Sequence, residues 1–469
     1  MVFSSIIFLF TFLPITLALY FIIPVRRIKN IVLLIASLIF YAWGEPIYIF
    51  LMVFSIVFNY FMGRDIDFNK DDKAAKKKSL ICAVVVNLLI LGFFKYYGFI
   101  IESFNSVLPF DIPYKALSLP IGISFYTFQT LSYIIDVYRD KVPVQKDIIN
   151  FGVYVSMFPQ LIAGPIVRYI DIEVQLNERK ESLTMFGNGM MWFVRGLAKK
   201  VLIANNIGML YTTVSGLAFG EFSVVTAWLG ALAYTFQIYF DFGGYSDMAI
   251  GLGKMFGFNF MKNFDYPYIS KSVTEFWRRW HISLGTWFRE YVYIPLGGNR
   301  VPALKHVRNI LAVWFLTGLW HGASWNFVVW GLYYGLLLLF EKFVLVKVMD
   351  KLPSFLRHLY TMLLVVIGWV FFFSPDLGYA LKYIGVMFGA GASGFCDTAG
   401  IYYLLTNLLL LIFAAVGSTP VVHTLFKRFI FRPKKKRIRG ATIIYILLFL
   451  MVVAYLVNAT YNPFLYFRF

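Results

Sequence analysis

The run NILAVWFLTGLWHGASWNFVVWGLYYGLLLLF, residues 309–340, sets two strongly apolar arms on either side of Trp320-His321-Gly322. Basic residues flank it at both ends, Lys305 and Arg308 before it and Lys342, Lys347, Lys351 and Arg357 after it. Lys and Arg concentrate on the cytoplasmic side of a bilayer, so matching basic flanks require the chain between them to enter the membrane and return. His321 then stands near the apex of a hairpin. The first arm has 12 residues, 309–320, which at ~1.5 Å each reach ~18 Å, little more than half of a ~30 Å hydrocarbon core. An imidazole is therefore expected near the midplane, where an ionisable group is costly and marks function.

The rest of the chain agrees with this setting. Of 469 residues, 60% are hydrophobic and 14% charged, outside the range of soluble globular proteins. No polar block of domain size interrupts the apolar pattern, so residues 1–469 are expected to form a single polytopic transmembrane domain. The stretch 3–23 lacks a basic leader and is too long for a signal-peptide core, which makes it a retained first span. The net charge of +19 lies in short loops between spans rather than on a nucleic-acid-binding face. Its densest clusters, Lys73 to Lys78 and Lys427 to Arg439, are topogenic and well placed to touch anionic lipid. Two cysteines, Cys82 and Cys396, provide neither a disulfide framework nor a thiol metal site.

Hydropathy and loop charge together give an all-α fold of roughly 11–13 hydrophobic elements. Spans are expected at 3–23, 31–43, 47–62, 80–101, 119–138, 186–210 and 224–240. The short stretch 149–164 reads as a re-entrant piece. Residues 241–308 are polar enough to stay largely cytoplasmic. After the His321 hairpin come a span at 360–373, an interfacial piece at 377–388, and spans at 402–416 and 443–457.

A second informative segment is SVTEFWRRWHISLGTWFREYVYIPLGG, residues 272–298. Val273, Phe276, Trp277, Trp280, Leu284, Trp287 and Tyr291 recur at helical spacing, which predicts one amphipathic helix in the headgroup boundary. His281 falls on the flank of its buried face. Arg278 and Arg279 read first as topogenic charges, and second as partners for the phosphates of a nucleotide-bearing thioester. His306, His358 and His423 sit in basic loops or at span ends and are expected to be solvated or interfacial. Asp241 and Asp247 lie just past a span, where they are expected to tie the loop to basic neighbours; their spacing is no metal signature.

The strings YFDFGGYSDMAIGLGKMFGFNF (239–260), PYISKSVTEFWRRWHISLGTWFREYVYIPLGGNR (267–300) and LTGLWHGASWNFVVWGLYYG (316–335) resemble the membrane-bound O-acyltransferase family. The likeness is strongest to the bacterial branch that holds the membrane subunit of alginate O-acetylation. FPQLIAGPIVRY (158–169) and the closing YNPFLYFRF (461–469) extend it over nearly the whole chain; Gly243, where serine is more usual, departs from it. The resemblance implies a ring-like helical bundle around a central tunnel, in which a cytoplasmic thioester and a hydroxyl from the other side meet. His321 matches the histidine of the family's WHG motif, and His281 matches its second catalytic position.

It further implies a bacterial cytoplasmic-membrane enzyme that O-acetylates a cell-surface polysaccharide. Acetyl-CoA is the expected donor substrate, no cofactor is bound, and transfer passes through a serine on a separate extracytoplasmic partner or goes directly to the polymer. In that chemistry a neutral, buried His321 takes the proton of the attacking hydroxyl. His281 positions the donor or its partner imidazole. Trp320, Trp325 and Asn326 line the site and supply donors to the oxyanion, with Arg278, Arg279 and Asp247 as further lining candidates. Two alternatives stay open: D-alanyl transfer to teichoic acid from a carrier-protein thioester, and a transporter without chemistry. The transporter would need broken helices at matching repeats and midplane carboxylates, neither of which the sequence shows. Taken alone, an intramembrane histidine is as often a helix-to-helix hydrogen-bonding group as a catalytic one.

Overall fold

Apolar runs in lipid must satisfy their backbone groups internally, and the chain does so with helices. The computed structural model describes residues 1–430, 435–458 and 465. About three-quarters of the chain is helical, with no strand among the described residues. Among them, five helices are long and apolar enough to cross a bilayer: Ile49–Phe68, Lys73–Asn105, Trp325–Met349, Ser354–Phe373 and Thr398–Gly417. Phe8–Ile22 and Thr442–Asn458 are shorter apolar helices. Large apolar side chains such as Phe50 and Leu409 stand exposed on these helices, as a lipid-facing surface requires. The protein is an all-α, multi-pass membrane protein. Apart from Leu465, the closing string 461–469 lies outside the described residues, as do most side chains of the basic run 427–439.

The described residues group into two compact units. The first comprises Met1–Phe193 with Ser246–Met261. Buried amides join its helices: Asn87 Nδ2 donates to Asn59 Oδ1 (2.7 Å), Asn59 Nδ2 donates back to Asn87 Oδ1 (3.1 Å), and Thr130 donates to the same Asn87 oxygen (3.2 Å). These bonds lock Ile49–Phe68, Lys73–Asn105 and Ile123–Tyr138 together where water cannot compete. The expected re-entrant stretch is two short helices, Ile148–Ser156 and Phe158–Leu161, broken at Met157.

In the same unit Arg26 and Tyr20 both hydrogen-bond Glu181, and Arg179 donates to Tyr20 (3.1 Å) and to the Phe256 carbonyl (3.1 Å). Burial disfavours ionisation of Glu181, but the hydrogen bonds from Arg26 and Tyr20 outweigh it and hold the carboxyl at about 2. A carboxyl depressed below its ordinary 4.5 contributes stability that is complete above that pH and lost as pH falls through the folded value. The melting temperature of the detergent-solubilised protein should therefore drop between about pH 5 and pH 2. Glu181→Gln should flatten that drop; equal acid sensitivity in both proteins would count against the assignment.

The second unit comprises Val194–Tyr245 with Lys262–Phe469. Its centre is the hairpin of Ala303–His321 and Trp325–Phe340. The two arms touch through backbone. A Cβ on Gly331 would lie 2.3 Å from the Trp314 carbonyl oxygen, one on Gly318 would lie 2.4 Å from the Phe327 carbonyl oxygen, and one on Gly322 would enter the Phe327 ring. Glycine is what lets helices approach this closely in a bilayer. Gly331→Val should force the arms apart at a cost of about 1–3 kcal/mol, read as a lower melting temperature and reduced yield of monodisperse protein. Unchanged melting would contradict the packing.

One boundary differs from the sequence reading. Instead of ending near 240, the helix Val224–Met255 runs through Asp241 and Asp247 without a break. Asp241 continues the helix in a buried setting because Lys200 Nζ stands 2.7 Å from its carboxylate. The lysine is delivered by a π-helical turn, Lys199–Ala204.

Candidate active site

His321 is the last residue of Ala303–His321 and is 2% exposed. Its ring packs edge-to-face against Trp320 (centroids 4.9 Å), Trp330 (4.9 Å) and Phe372 (5.2 Å). His281 is 1% exposed, and its ring centroid lies 6.4 Å from that of His321, with Trp320 5.8 Å away and Phe242 4.8 Å away. Two residues 40 apart in sequence thus share one aromatic box. The structure brings the expected pair together.

The segment carrying His281 is not one helix. Val273–Arg279 ends, Trp280 is extended, His281 turns left-handed (φ 47°, ψ 52°), and Ile282–Phe288 begins a new direction. The apolar period continues across the break, which is why the sequence reads as continuous. What turns the chain is Asn263: its carbonyl accepts from Ile282 N (2.9 Å), and its Oδ1 accepts from Ser283 N (3.1 Å) and Ser283 Oγ (2.9 Å). The first short helix is capped twice. Ser272 accepts from Glu275 N (2.9 Å), and the buried Glu341 carboxylate accepts from Val273 N (2.6 Å) and Thr274 N (2.8 Å), favourable at the positive end of a helix.

A cavity of about 780 Å³ runs beside these helices. Lys271, Arg278, Arg289 and Lys342 are exposed on its wall, Trp277, Trp280 and Trp314 form its aromatic side, and His281 is its most buried ionisable side chain. His321 packs behind His281 and Trp320. A ligand with an anionic end and a small reactive end fits this gradient of charge and burial.

The membrane-bound O-acyltransferase family profile matches residues 139–377. The chain is 45% identical over 397 residues to a probable alginate O-acetylase of Azotobacter vinelandii, covering 83% of this chain and 79% of that protein. It is 36% identical over 436 residues to a peptidoglycan O-acetyltransferase of Helicobacter pylori, covering 84% and 81%. This chain belongs to the membrane-bound O-acyltransferase family. A teichoic acid D-alanyltransferase of Streptococcus thermophilus is 32% identical over 235 residues, 46% of this chain and 55% of that one. The family assignment makes the protein an O-acyltransferase.

Not every expected lining residue of this acyltransferase lies at the pair. Trp320 does. Trp325 opens its helix 57% exposed. Asn326 is buried, but its amide donates to the Phe371 (3.2 Å) and Ser374 (2.8 Å) carbonyls, so both N–H groups close the end of Ser354–Phe373 rather than serve an oxyanion. Arg278 reaches the cavity, whereas Arg279 turns to Glu275 (2.9 Å) and to the Asp265 carbonyl (3.0 Å). Asp247 is buried on Val224–Met255 within the first unit.

Two residues stand at the site in places that the sequence reading did not assign. His306, expected to be solvated or interfacial, is buried at the cavity, where the Tyr293 hydroxyl (2.9 Å) and the Lys342 ammonium (3.2 Å) meet its Nε2. Helical phase carried the signal: His306, Ile310, Val313, Thr317 and His321 follow one face of Ala303–His321. Asn263 gave no such signal, because its role exists only once residue 281 has turned. His358, also expected in solvent or at the interface, has its Nδ1 3.0 Å from the Ser270 carbonyl oxygen.

Proposed function

We propose that this protein moves an acetyl group from cytoplasmic acetyl-CoA to hydroxyl groups of a cell-surface polysaccharide, in the cytoplasmic membrane of a bacterium. The observation that carries the reading is the cavity that leads from exposed cations to buried His281, with His321 one ring behind. Arg278, Arg289 and Lys342 suit the phosphates of a nucleotide thioester. The aromatic wall suits its adenine and pantetheine portions, and the thioester comes to rest near His281. The names of the alginate- and peptidoglycan-acetylating relatives support acetyl as the acyl group and a polysaccharide as the final acceptor.

The geometry supports the following reaction. A hydroxyl approaches His321 from the side opposite the donor and attacks the thioester carbonyl. The imidazole takes its proton, the tetrahedral intermediate expels thiolate, and the imidazolium returns the proton to sulfur. The acceptor is a serine on an extracytoplasmic partner protein, which passes the acetyl group to the polymer. Full-length protein in vesicles, supplied with acetyl-CoA labelled in the acetyl group, tests the reading. Thioester should be consumed with label moving to a hydroxyl acceptor. Label crossing the bilayer with no loss of thioester would overturn the reading in favour of a transporter.

A further inference from the structure

We propose that Asn263 is a positioning residue for acyl transfer, holding His281 in the tautomer with its proton on Nδ1 and its lone pair on Nε2. The proposal rests on the reading of the His281–His321 pair as the reaction centre.

One donor beside His281 has no alternative role. The backbone N–H of Ser283 can only donate, and it points at Oδ1 of Asn263 at 3.1 Å. That fixes which end of the amide is oxygen, a choice otherwise open for any asparagine. The same oxygen also accepts from the Ser283 hydroxyl at 2.9 Å. His281 Nδ1 stands 3.2 Å from this oxygen. An amide oxygen cannot donate to a ring nitrogen, and the Ser283 hydroxyl, 3.5 Å from Nδ1, gives its hydrogen to the nearer Asn263 oxygen, so the contact is a hydrogen bond only if Nδ1 carries the proton. A neutral imidazole has one N–H, and Nε2 is left as an acceptor.

The backbone enforces the same arrangement. His281 occupies the left-handed region, which non-glycine residues enter uncommonly. Asn263 holds it there through its own carbonyl bond to Ile282 N and the side-chain bonds to Ser283. Asn263, His281 and Ser283 are each 1% exposed, so water does not compete for these bonds. One asparagine therefore sets both where the imidazole stands and which nitrogen is protonated.

The chemical consequence is a division of labour. His281 in this tautomer accepts a hydrogen bond through Nε2, from the incoming hydroxyl or from protonated His321, and it does not donate to the oxyanion. The groups packed on its ring are Phe242, Phe264, Trp320 and the titratable His321, and Arg278 shares the cavity wall.

Thioester turnover by the full-length protein, with acetyl-CoA as the probe, separates positioning from mere support. Asn263→Asp keeps the accepting oxygen but places a carboxylate on Nδ1–H, which raises the basicity of His281. The acid limb of its pH–rate profile should move to higher pH by about one unit, with little change in KM for acetyl-CoA. Asn263→Ala should lose kcat by roughly ten- to hundred-fold. His281→Asn, whose side chain suits the left-handed corner, should stay folded and inactive, while His281→Gln, with an oxygen near the Nε2 position, should recover part of the rate. Nitrogen-15 spectra of histidine-labelled protein should show an Nδ1-protonated signal, beside those of His306 and His358, that disappears in His281→Asn. An unmoved acid limb in Asn263→Asp, or an Nε2-protonated signal for His281, would overturn the proposal. Full turnover by His321→Ala would instead overturn the underlying reading of the site.

Discussion

Alanine at position 321 should leave a folded membrane protein whose acyl transfer has fallen by about 10²–10⁴-fold. The expectation comes from what surrounds the imidazole. Trp320, Trp330 and Phe372 present ring edges and faces to it, and aromatic packing can hold a side chain in place but cannot accept a proton. His321→Gln separates chemistry from packing, because it nearly fills the same space and still lacks a base. Both variants should elute as monodisperse protein and consume labelled acetyl-CoA at the same residual rate. Near-normal turnover in either would remove His321 from the reaction.

Lys200→Met should produce the largest loss of stability, about 3–5 kcal/mol. Lys200 and Asp241 are 2.7 Å apart with side chains 4% and 3% exposed. Lys200 Nζ also donates to Asn205 Oδ1 (2.9 Å), and Asp241 Oδ2 accepts from Leu465 N (2.9 Å). Removing the lysine takes from a buried carboxylate the cation that pairs with it among the described residues. The double variant Lys200→Met/Asp241→Leu should recover much of the loss, since two apolar groups replace the pair without stranding either charge. Thermal unfolding in detergent measures both. A single variant as stable as the parent would mean that water reaches the pair. Because Phe242 follows Asp241 and packs on His281, the single variant should also lose activity at temperatures where it remains folded.

The hairpin and His321 were legible because two local signals coincide there: an apolar run long enough to require lipid, and an ionisable residue that lipid does not tolerate without cause. The pairing of Asp241 with a lysine was also legible in kind, since a carboxylate beside an apolar run needs a cation. The corner at His281 was not. Val273, Phe276, Trp280, Leu284 and Trp287 keep a helical period on both sides of it, and the residue that breaks the helix is 18 positions upstream. Periodicity reports which face is buried; it does not report where a distant amide competes for the backbone. Asn326 shows the converse. Its type and place beside the WHG motif suit an oxyanion donor, yet the terminal carbonyls of a neighbouring helix claim both hydrogens.

The aromatic wall of the cavity is also an optical instrument. Trp277, Trp280 and Trp314 line this space, and indole emission responds to the polarity and stacking of whatever lies against it. If the proposed donor binds there, three of the chain's eleven tryptophans should report occupancy directly, by a change in emission on titration with a non-hydrolysable nucleotide thioester. Binding and turnover can then be followed separately in one sample, without attaching any label to the protein.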